Sequence, residues 1–181
     1  MTPPRHSKIL LIGPRGCGKS TVGRGVARRL KLAFIDLDER VLGRLGAVSV
    51  RDAWERLGEA AWRQAEEMAL REVLTREGAL VVALGGGTPM ISGARQAIGE
   101  ARAAGGVFVI YLAAAPGELI RRRGAAGADD RPPLRGLDLE AEVHETLAER
   151  EPTYRALADL VIETTQDSPD LTAHRLVEAL P

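Results

Sequence analysis

The sequence predicts an α/β fold, with helices layered around a parallel β-sheet. Three observations carry this. Short apolar runs alternate with longer segments of helical apolar spacing along the chain. The run Ala79-Leu-Val-Val-Ala-Leu84 is unbroken and ends at Gly85-Gly-Gly87, which suits a central parallel strand buried on both faces. The first run, Lys8–Ile12, leads directly into a glycine-rich turn and then into a segment with apolar residues at Val22, Val26 and Leu30, a strand–turn–helix order.

The elements follow in order. Lys8–Ile12 is the first strand, and the helix after the turn runs to about Leu30. Ala33-Phe-Ile-Asp36 is a second strand. Residues 39–77 read as mostly helical, broken near Gly46 and Gly58, with Trp62, Met68, Ala69, Val73 and Leu74 as an inward stripe. After the strand 79–84, Ser92 is placed to cap a helix running to about Ala103. Val107–Tyr111 is the next strand, and Pro116 opens a helix that ends in Arg121-Arg-Arg123. Gly124–Gly136 is poor in apolar residues and reads as a mobile surface loop. A helix over Leu139–Leu157, interrupted at Pro152, a fifth strand over Asp159–Glu163 and a closing helix over Leu171–Leu180 complete the pattern.

Bulk composition narrows the function classes. At 181 residues the chain is expected to form one domain with an adequate core. Lys+Arg and Asp+Glu balance at 25 each, so no global field favours nucleic acid or an anionic membrane. The single cysteine, Cys17, excludes an internal disulfide and a cysteine zinc cluster. The first strand begins at about Lys8, which leaves no room for a signal peptide, and no apolar run is long enough to span a bilayer. A cytoplasmic location is expected.

The chemistry sits where strands end, because ligands of such sheets bind at the strands' carboxyl edge. Gly13-Pro-Arg-Gly-Cys-Gly-Lys-Ser20 fits the P-loop pattern G-x-x-x-x-G-K-[ST] in its required context. The glycines allow close backbone approach to a polyphosphate, and free N–H groups at the helix start favour anionic oxygens. Lys19 would reach the β- and γ-phosphates and the Ser20 hydroxyl would help hold Mg²⁺. Many such enzymes take a metal-side acid from the end of a later strand. Here the strand 79–84 ends in Leu and glycines, so Asp36 is the candidate. Asp38, one step further out, would take a hydroxyl proton from an acceptor. In extended chain the two carboxylates share a face; the alternative is a polar pair capping the following helix, since Asp38 precedes Glu-Arg-Val-Leu. Cys17, beside a helix N-terminus, is either an activated thiol or a small filler. His6, His144 and His174 match no pattern and are expected at the surface.

Several separated motifs together resemble the shikimate kinase family, from Lys8 to about Pro169. They are Gly13–Ser20, Asp36-Leu-Asp38, Gly58-Glu59 with Trp62-Arg63-x-x-Glu66, Gly85-Gly-Gly87, Arg131-Pro-Pro-Leu134 and Arg150-x-Pro-x-Tyr154. The resemblance implies a P-loop fold of the nucleoside monophosphate kinase type. Its parts are a five-stranded parallel sheet flanked by helices, a substrate-binding helical region (about 37–66) and a lid (about 124–136). It implies phosphorylation of the 3-hydroxyl of shikimate by ATP with Mg²⁺, in aromatic amino acid biosynthesis, by a monomer. Arg63 and Arg150 match the family's carboxylate-binding arginines, a role suited to guanidinium forks. Asp38 matches the acid that accepts the substrate hydroxyl. Gly85, Gly86 and Gly87 would let main-chain N–H groups meet the substrate, Trp54 would form an apolar wall, and Glu66 would orient Arg63 from three residues away. On the nucleotide side the resemblance implies Gly13, Gly16, Cys17, Gly18, Lys19, Ser20 and Thr21, with Ser20 and Asp36 at the metal. Arg123 matches the arginine near adenine, in a segment one residue longer than in some members. Arg131 matches the lid arginine on the phosphates, and with Lys19 and Asp38 completes the catalytic set.

Blander accounts exist for single features. Arg63 with Glu66 could be a solvated helix pair, and Arg121–Arg123 or Arg150 could complement a helix C-terminus. The rival functions are another small-molecule kinase of this fold, such as a gluconate or nucleoside monophosphate kinase, and a non-catalytic ligand sensor. A sensor would be expected to carry an attached domain and to lose Lys19, Asp36 or Asp38.

Overall fold

Each predicted strand forms, and the three inner ones are apolar runs that the sheet buries. In the computed structural model, which describes residues 7–125 and 138–181, the strands are β1 (Lys8–Ile12), β2 (Ala33–Asp36), β3 (Leu80–Ala83), β4 (Val107–Ala113) and β5 (Leu160–Glu163). They form one five-stranded parallel sheet in the order β2-β3-β1-β4-β5. β1 is central, and its Leu10 pairs with Val82 on one side and Val109 on the other.

Alternation along the strands divides the core between the two faces. Leu10, Ile12, Val82 and Val109 pack with α2 (Leu37–Leu45), α3 (Val50–Thr75), α4 (Ser92–Ala103) and the end of α6 (Leu139–Leu157). Ile9, Leu11, Val81 and Ile110 pack with α1 (Lys19–Leu30), α5 (Pro116–Ala125), the start of α6 and α7 (Pro169–Glu178). The expected helix breaks fall where predicted: Gly46 ends α2 in the left-handed region, and Gly58 interrupts α3 with φ 81° and ψ 160°.

Three expectations are corrected. Met68 is exposed, and Leu70 takes the inward place beside Trp62, Ala69 and Val73. Ser92 is the first residue of α4 rather than its cap; the N-cap position is Ile91, with no side-chain hydrogen bond. Asp38 is helical, in the first turn of α2, so the extended-chain account of its face does not hold. The loop 124–136 begins inside α5, whose last residues are Gly124 and Ala125, and its remainder, including Arg131, lies outside the described residues. His144 and His174 are exposed as expected, and His6 lies outside the described residues.

Tyr111 and Tyr154, the chain's two tyrosines, are buried with ring centroids 5.2 Å apart. Burial pushes both phenols well above their ordinary value of 10.0. A phenol held protonated in the folded state while the unfolded chain ionises loses its stabilising effect as pH rises. A spectrophotometric titration is therefore expected to show no phenolate until unfolding, with stability falling as pH climbs above about 10.

Candidate active site

The phosphate loop is built to leave a helix end open. Gly18, the N-cap of α1, adopts a left-handed conformation (φ 97°) and supplies no side-chain cap, and the first turn holds no acidic residue. The orphan N–H groups and the positive end of the helix dipole are thus left for an anion. Gly13 is required for space as well as conformation: at φ 143°, an added Cβ would lie 2.5 Å from the Leu112 carbonyl oxygen. Lys19 folds back over the loop, its Nζ donating to the carbonyls of Gly13 (2.9 Å) and Pro14 (2.8 Å). Cys17 is only 1% exposed, which makes it the small filler rather than an accessible thiol.

The two carboxylates reach this loop by the helix-cap route. Asp36 ends β2 and caps α2: its Oδ1 accepts from the Asp38 backbone N–H (3.1 Å), while its Oδ2 accepts from the Ser20 hydroxyl (2.5 Å). The capping alternative therefore describes Asp36, and capping leaves one of its oxygens on the phosphate-loop serine. Asp36, Asp38, Lys19, Ser20, Thr21, Gly16, Cys17 and Gly18 line one cleft of about 800 Å³, a size suited to a nucleotide. Arg121, Arg122, Thr164 and Asp167–Pro169 also line it. Arg122 donates to the Thr164 carbonyl oxygen (2.5 Å), and the Thr164 hydroxyl donates to the Cys17 carbonyl oxygen (3.4 Å), which ties the end of β5 to the phosphate loop.

A second pocket adjoins the first and is lined by arginines. Arg63 and Arg150 both face it, with Trp54, Arg123, Glu142 and Tyr154. Trp54 and Arg63 are nine residues apart, about two and a half turns, so an unbroken helix would place them on opposite faces. The Gly58 break in α3 changes this and sets the Arg63 guanidinium over the Trp54 ring at 5.6 Å. Arg63 donates to Glu66 (2.8 Å) and Glu59 (2.8 Å), and Glu66, 0% exposed, also accepts from the Thr88 hydroxyl (2.6 Å). Burial pushes the Glu66 carboxyl up against the opposing pull of Arg63 and Thr88. Burial alone would lower Arg63, but its two carboxylate partners outweigh that and raise it, so the guanidinium stays charged. The Arg150 Nε and Trp54 Nε1 are buried donors with no hydrogen-bond partner, a natural match for an oxygen-rich ligand.

The glycine triplet works through space more than through backbone freedom, since none of its members has positive φ. A Cβ on Gly85 would lie 2.5 Å from Glu66 Oε1 and 2.6 Å from Asp38 Oδ1, and one on Gly87 would strike the Arg63 guanidinium. Gly86 lines both pockets, and its carbonyl oxygen accepts from the Tyr154 hydroxyl (2.5 Å), which locks α6, the carrier of Arg150, to the triplet.

One predicted site residue is placed elsewhere. Arg123 is not among the residues lining the nucleotide-sized cleft; it donates to Glu142 (2.8 Å) in the second pocket, where both side chains are under 10% exposed (9% and 7%). Its neighbour Arg122 lines the cleft instead, beside Thr164. Successive helical residues point about 100° apart, so a shift of one position selects a different pocket. Thr164 and Asp167–Pro169 were missed by sequence reasoning; their signal was their place just after the last strand, at the sheet edge where ligands bind.

A protein-family model described as Shikimate kinase matches residues 15–181. This chain belongs to the shikimate kinase family. The shikimate kinase of Halorhodospira halophila is 41% identical over 174 residues, covering 96% of this chain and 93% of that protein. That of Stenotrophomonas maltophilia is 37% identical, covering 94% and 90%. Among solved structures, the shikimate kinase of Acinetobacter baumannii in complex with shikimate superposes with a TM-score of 0.85 at 31% identity, covering 96% and 92%. The family's reaction is the ATP-dependent phosphorylation of shikimate in aromatic biosynthesis.

The effect of the Gly58 break on the Trp54–Arg63 pair is testable. Nothing crowds Gly58, so an added methyl meets only backbone strain at φ 81° and ψ 160°. Gly58→Ala is expected to destabilise the fold by about 1–3 kcal/mol. It should also raise the shikimate KM, as α3 straightens and Trp54 parts from Arg63; thermal melts and steady-state kinetics check both.

Proposed function

We propose that this chain transfers the γ-phosphoryl group of ATP to the 3-hydroxyl of shikimate, with its residues in the following roles. The polyphosphate lies on the open N-terminus of α1, and Lys19 exchanges the carbonyls of Gly13 and Pro14 for phosphate oxygens. The nucleotide extends toward Arg122, Thr164 and Pro169. Arg63 and Arg150 hold the shikimate carboxylate, and Trp54 walls the ring. Asp38 accepts the proton of the 3-hydroxyl as its oxygen forms a bond to phosphorus; the bond from phosphorus to the bridging oxygen breaks and ADP leaves with that electron pair. Arg131, outside the described residues, is assigned to the phosphates from the lid, region 124–136, and the substrate-binding region spans about 37–66 of a single domain.

Ser20 and Asp36 would hold Mg²⁺. Their hydroxyl and carboxylate oxygens are within 2.5 Å of each other, and Mg²⁺ characteristically takes one or two such oxygens together with phosphates. Among the described residues no group of three or more His, Cys, Asp and Glu side chains could hold a metal alone, which fits an ion that arrives with its nucleotide. The ion supplies neutralisation of charge on the phosphates. A monomer acting in the cytoplasm without a nucleic-acid partner completes the proposal. The balanced charge supports it, and no helix among the described residues is long and apolar enough to cross a membrane.

The observation that carries this reading is that Arg63 and Arg150, far apart in sequence, face one pocket that adjoins the P-loop cleft at Gly86. A coupled ADP-release assay over shikimate, quinate, gluconate and AMP tests it. Mg²⁺-dependent turnover with shikimate is expected. Turnover with gluconate or AMP instead would reassign the acceptor, and tight ATP binding with no turnover would favour a sensor.

A further inference from the structure

Thr88 follows the glycine triplet and is 0% exposed. It lines neither cleft, yet its hydroxyl donates to Glu66 Oε1 (2.6 Å). The other oxygen of that carboxylate, Oε2, accepts from Arg63 Nη1 (2.8 Å). One buried carboxylate is thus divided between a neutral donor and a charged one. The main chain fixes the hydroxyl in place. The Thr88 N–H donates to the Gly85 carbonyl oxygen (3.1 Å), and the Thr88 carbonyl oxygen accepts from the Ile91 N–H (3.1 Å). A Cβ on Gly85 would lie 2.5 Å from Glu66 Oε1 and 2.9 Å from the Thr88 hydroxyl, so the two groups meet in the space that Gly85 leaves.

The Arg63 guanidinium is placed just as closely. It lies over the Trp54 ring, 5.6 Å from the centroid, and a Cβ on Gly87 would strike it. Its Nε and Nη2 both donate to Glu59 Oε1 (3.1 and 2.8 Å), and its Nη1 donates to Glu66. A guanidinium carries five N–H groups. Among the described residues these bonds use three, and each terminal nitrogen keeps one more. Such a pair is what a ligand carboxylate takes in a two-point contact. Glu66 is itself a carboxylate and competes for that pair. Because it is 0% exposed, bulk water does not replace a lost partner, and a released Oε1 would turn to the guanidinium. Against burial, which pushes the Glu66 carboxyl up, Thr88 works with Arg63 to favour the ionised form. We propose that Thr88 is a positioning residue for the substrate: by occupying Glu66 Oε1 it confines Glu66 to a single contact with Arg63 and keeps the terminal pair of the guanidinium available to the substrate carboxylate. The competing role is structural, with the hydroxyl only satisfying a buried oxygen.

The proposal rests on Arg63 holding the shikimate carboxylate, so the wild-type protein and Arg63→Ala are assayed first. No turnover of shikimate by the wild type, or an unchanged shikimate KM in Arg63→Ala, overturns that reading and the proposal with it. Thr88→Val, which keeps the shape and loses the donor, is then compared with Thr88→Ser, which keeps the hydroxyl. The Val variant is expected to raise the shikimate KM roughly ten-fold with kcat held within about two-fold, and the Ser variant to restore most of the loss. The methyl ester of shikimate, which has the ring and hydroxyls without the anionic carboxylate, separates positioning from packing. Binding of acid and ester is followed by tryptophan fluorescence. The wild type should favour the acid, and Thr88→Val should shrink that preference about ten-fold by weakening the acid alone. Equal loss for acid and ester would overturn the proposal in favour of the structural role. Unchanged affinity for the acid, with or without a lower melting temperature, would overturn it as well. Should the Val variant fail to fold, Thr88→Ala removes the same hydroxyl and is read in its place; failure of both to fold while the Ser variant folds would also assign Thr88 to structure.

Discussion

Asp38→Asn is expected to lower kcat by about three orders of magnitude while leaving nucleotide binding nearly unchanged. Asparagine fills the same volume and keeps the backbone N–H that donates to Asp36, so the start of α2 survives. The Asp36–Ser20 contact is untouched, and with it the oxygens assigned to Mg²⁺. What disappears is a group able to take the proton of the attacking hydroxyl. Asp38 shares the cleft of Lys19 and meets Glu66 across Gly85, where any Cβ would intrude on both carboxylates. Glu66 is tied to Arg63 and Thr88, whereas Asp38 lines the cleft of the phosphate loop, which makes it the carboxylate proposed to take the proton. Rapid-quench measurement of a single turnover isolates the chemical step. A loss confined to the shikimate KM, with that step intact, would mean that Asp38 orients substrate without taking its proton.

The parts of this molecule that could be read from sequence are those whose physics is local. A run such as Leu80–Ala83 needs only its own apolarity to announce a buried strand. The phosphate loop is a contiguous motif, and Arg63 with Glu66 is a helical neighbour pair by spacing alone. Features that depend on the angle at which a side chain leaves a helix were less readable. Arg122 and Arg123 are chemically identical neighbours, and only the packing of α5 decides that one reaches Thr164 and the other Glu142. Asp38 was assigned to the right neighbourhood on the wrong backbone, because Asp-Leu-Asp after a strand fits both an extended end and a helix start.

The glycine triplet shows a different limit. Sequence suggested backbone approach to the substrate, yet Gly85 and Gly87 are surrounded by side chains from α2 and α3. A requirement for empty space has no signature within the segment that leaves it empty. The pairing of Trp54 with Arg63 has the same character: the break at Gly58 was visible, but which faces it would rotate together depended on α3 packing as a whole.

Removing Arg63 should have the broadest consequences, since it damages binding and folding by separable routes. The first is loss of a fork for the substrate carboxylate. Arg63→Ala and Arg150→Ala are each expected to raise the shikimate KM by roughly 100-fold, the worth of a charged hydrogen-bonded partner. Arg63→Lys should rescue little, because an ammonium cannot reproduce the planar two-point contact. The second route belongs to Arg63 alone. Its loss strands Glu66, fully buried and left with the Thr88 hydroxyl, and an uncompensated buried charge costs about 3–5 kcal/mol. Burial already holds the Glu66 carboxyl above its ordinary 4.5, and without Arg63 it should rise further. A carboxyl raised in the folded state favours folding at pH below its unfolded value and disfavours it as pH climbs through the folded one. The Arg63→Ala protein should therefore be most stable in mild acid and weaken toward neutrality, a slope absent from Arg150→Ala. Adding Glu66→Gln removes the stranded charge: the double variant should regain most of the lost stability and flatten the pH slope, with the shikimate KM still raised. Thermal melts from acid to neutral pH beside steady-state kinetics separate the two routes. A double variant that recovers substrate binding along with stability would show that Arg63 supports the pocket without gripping the carboxylate.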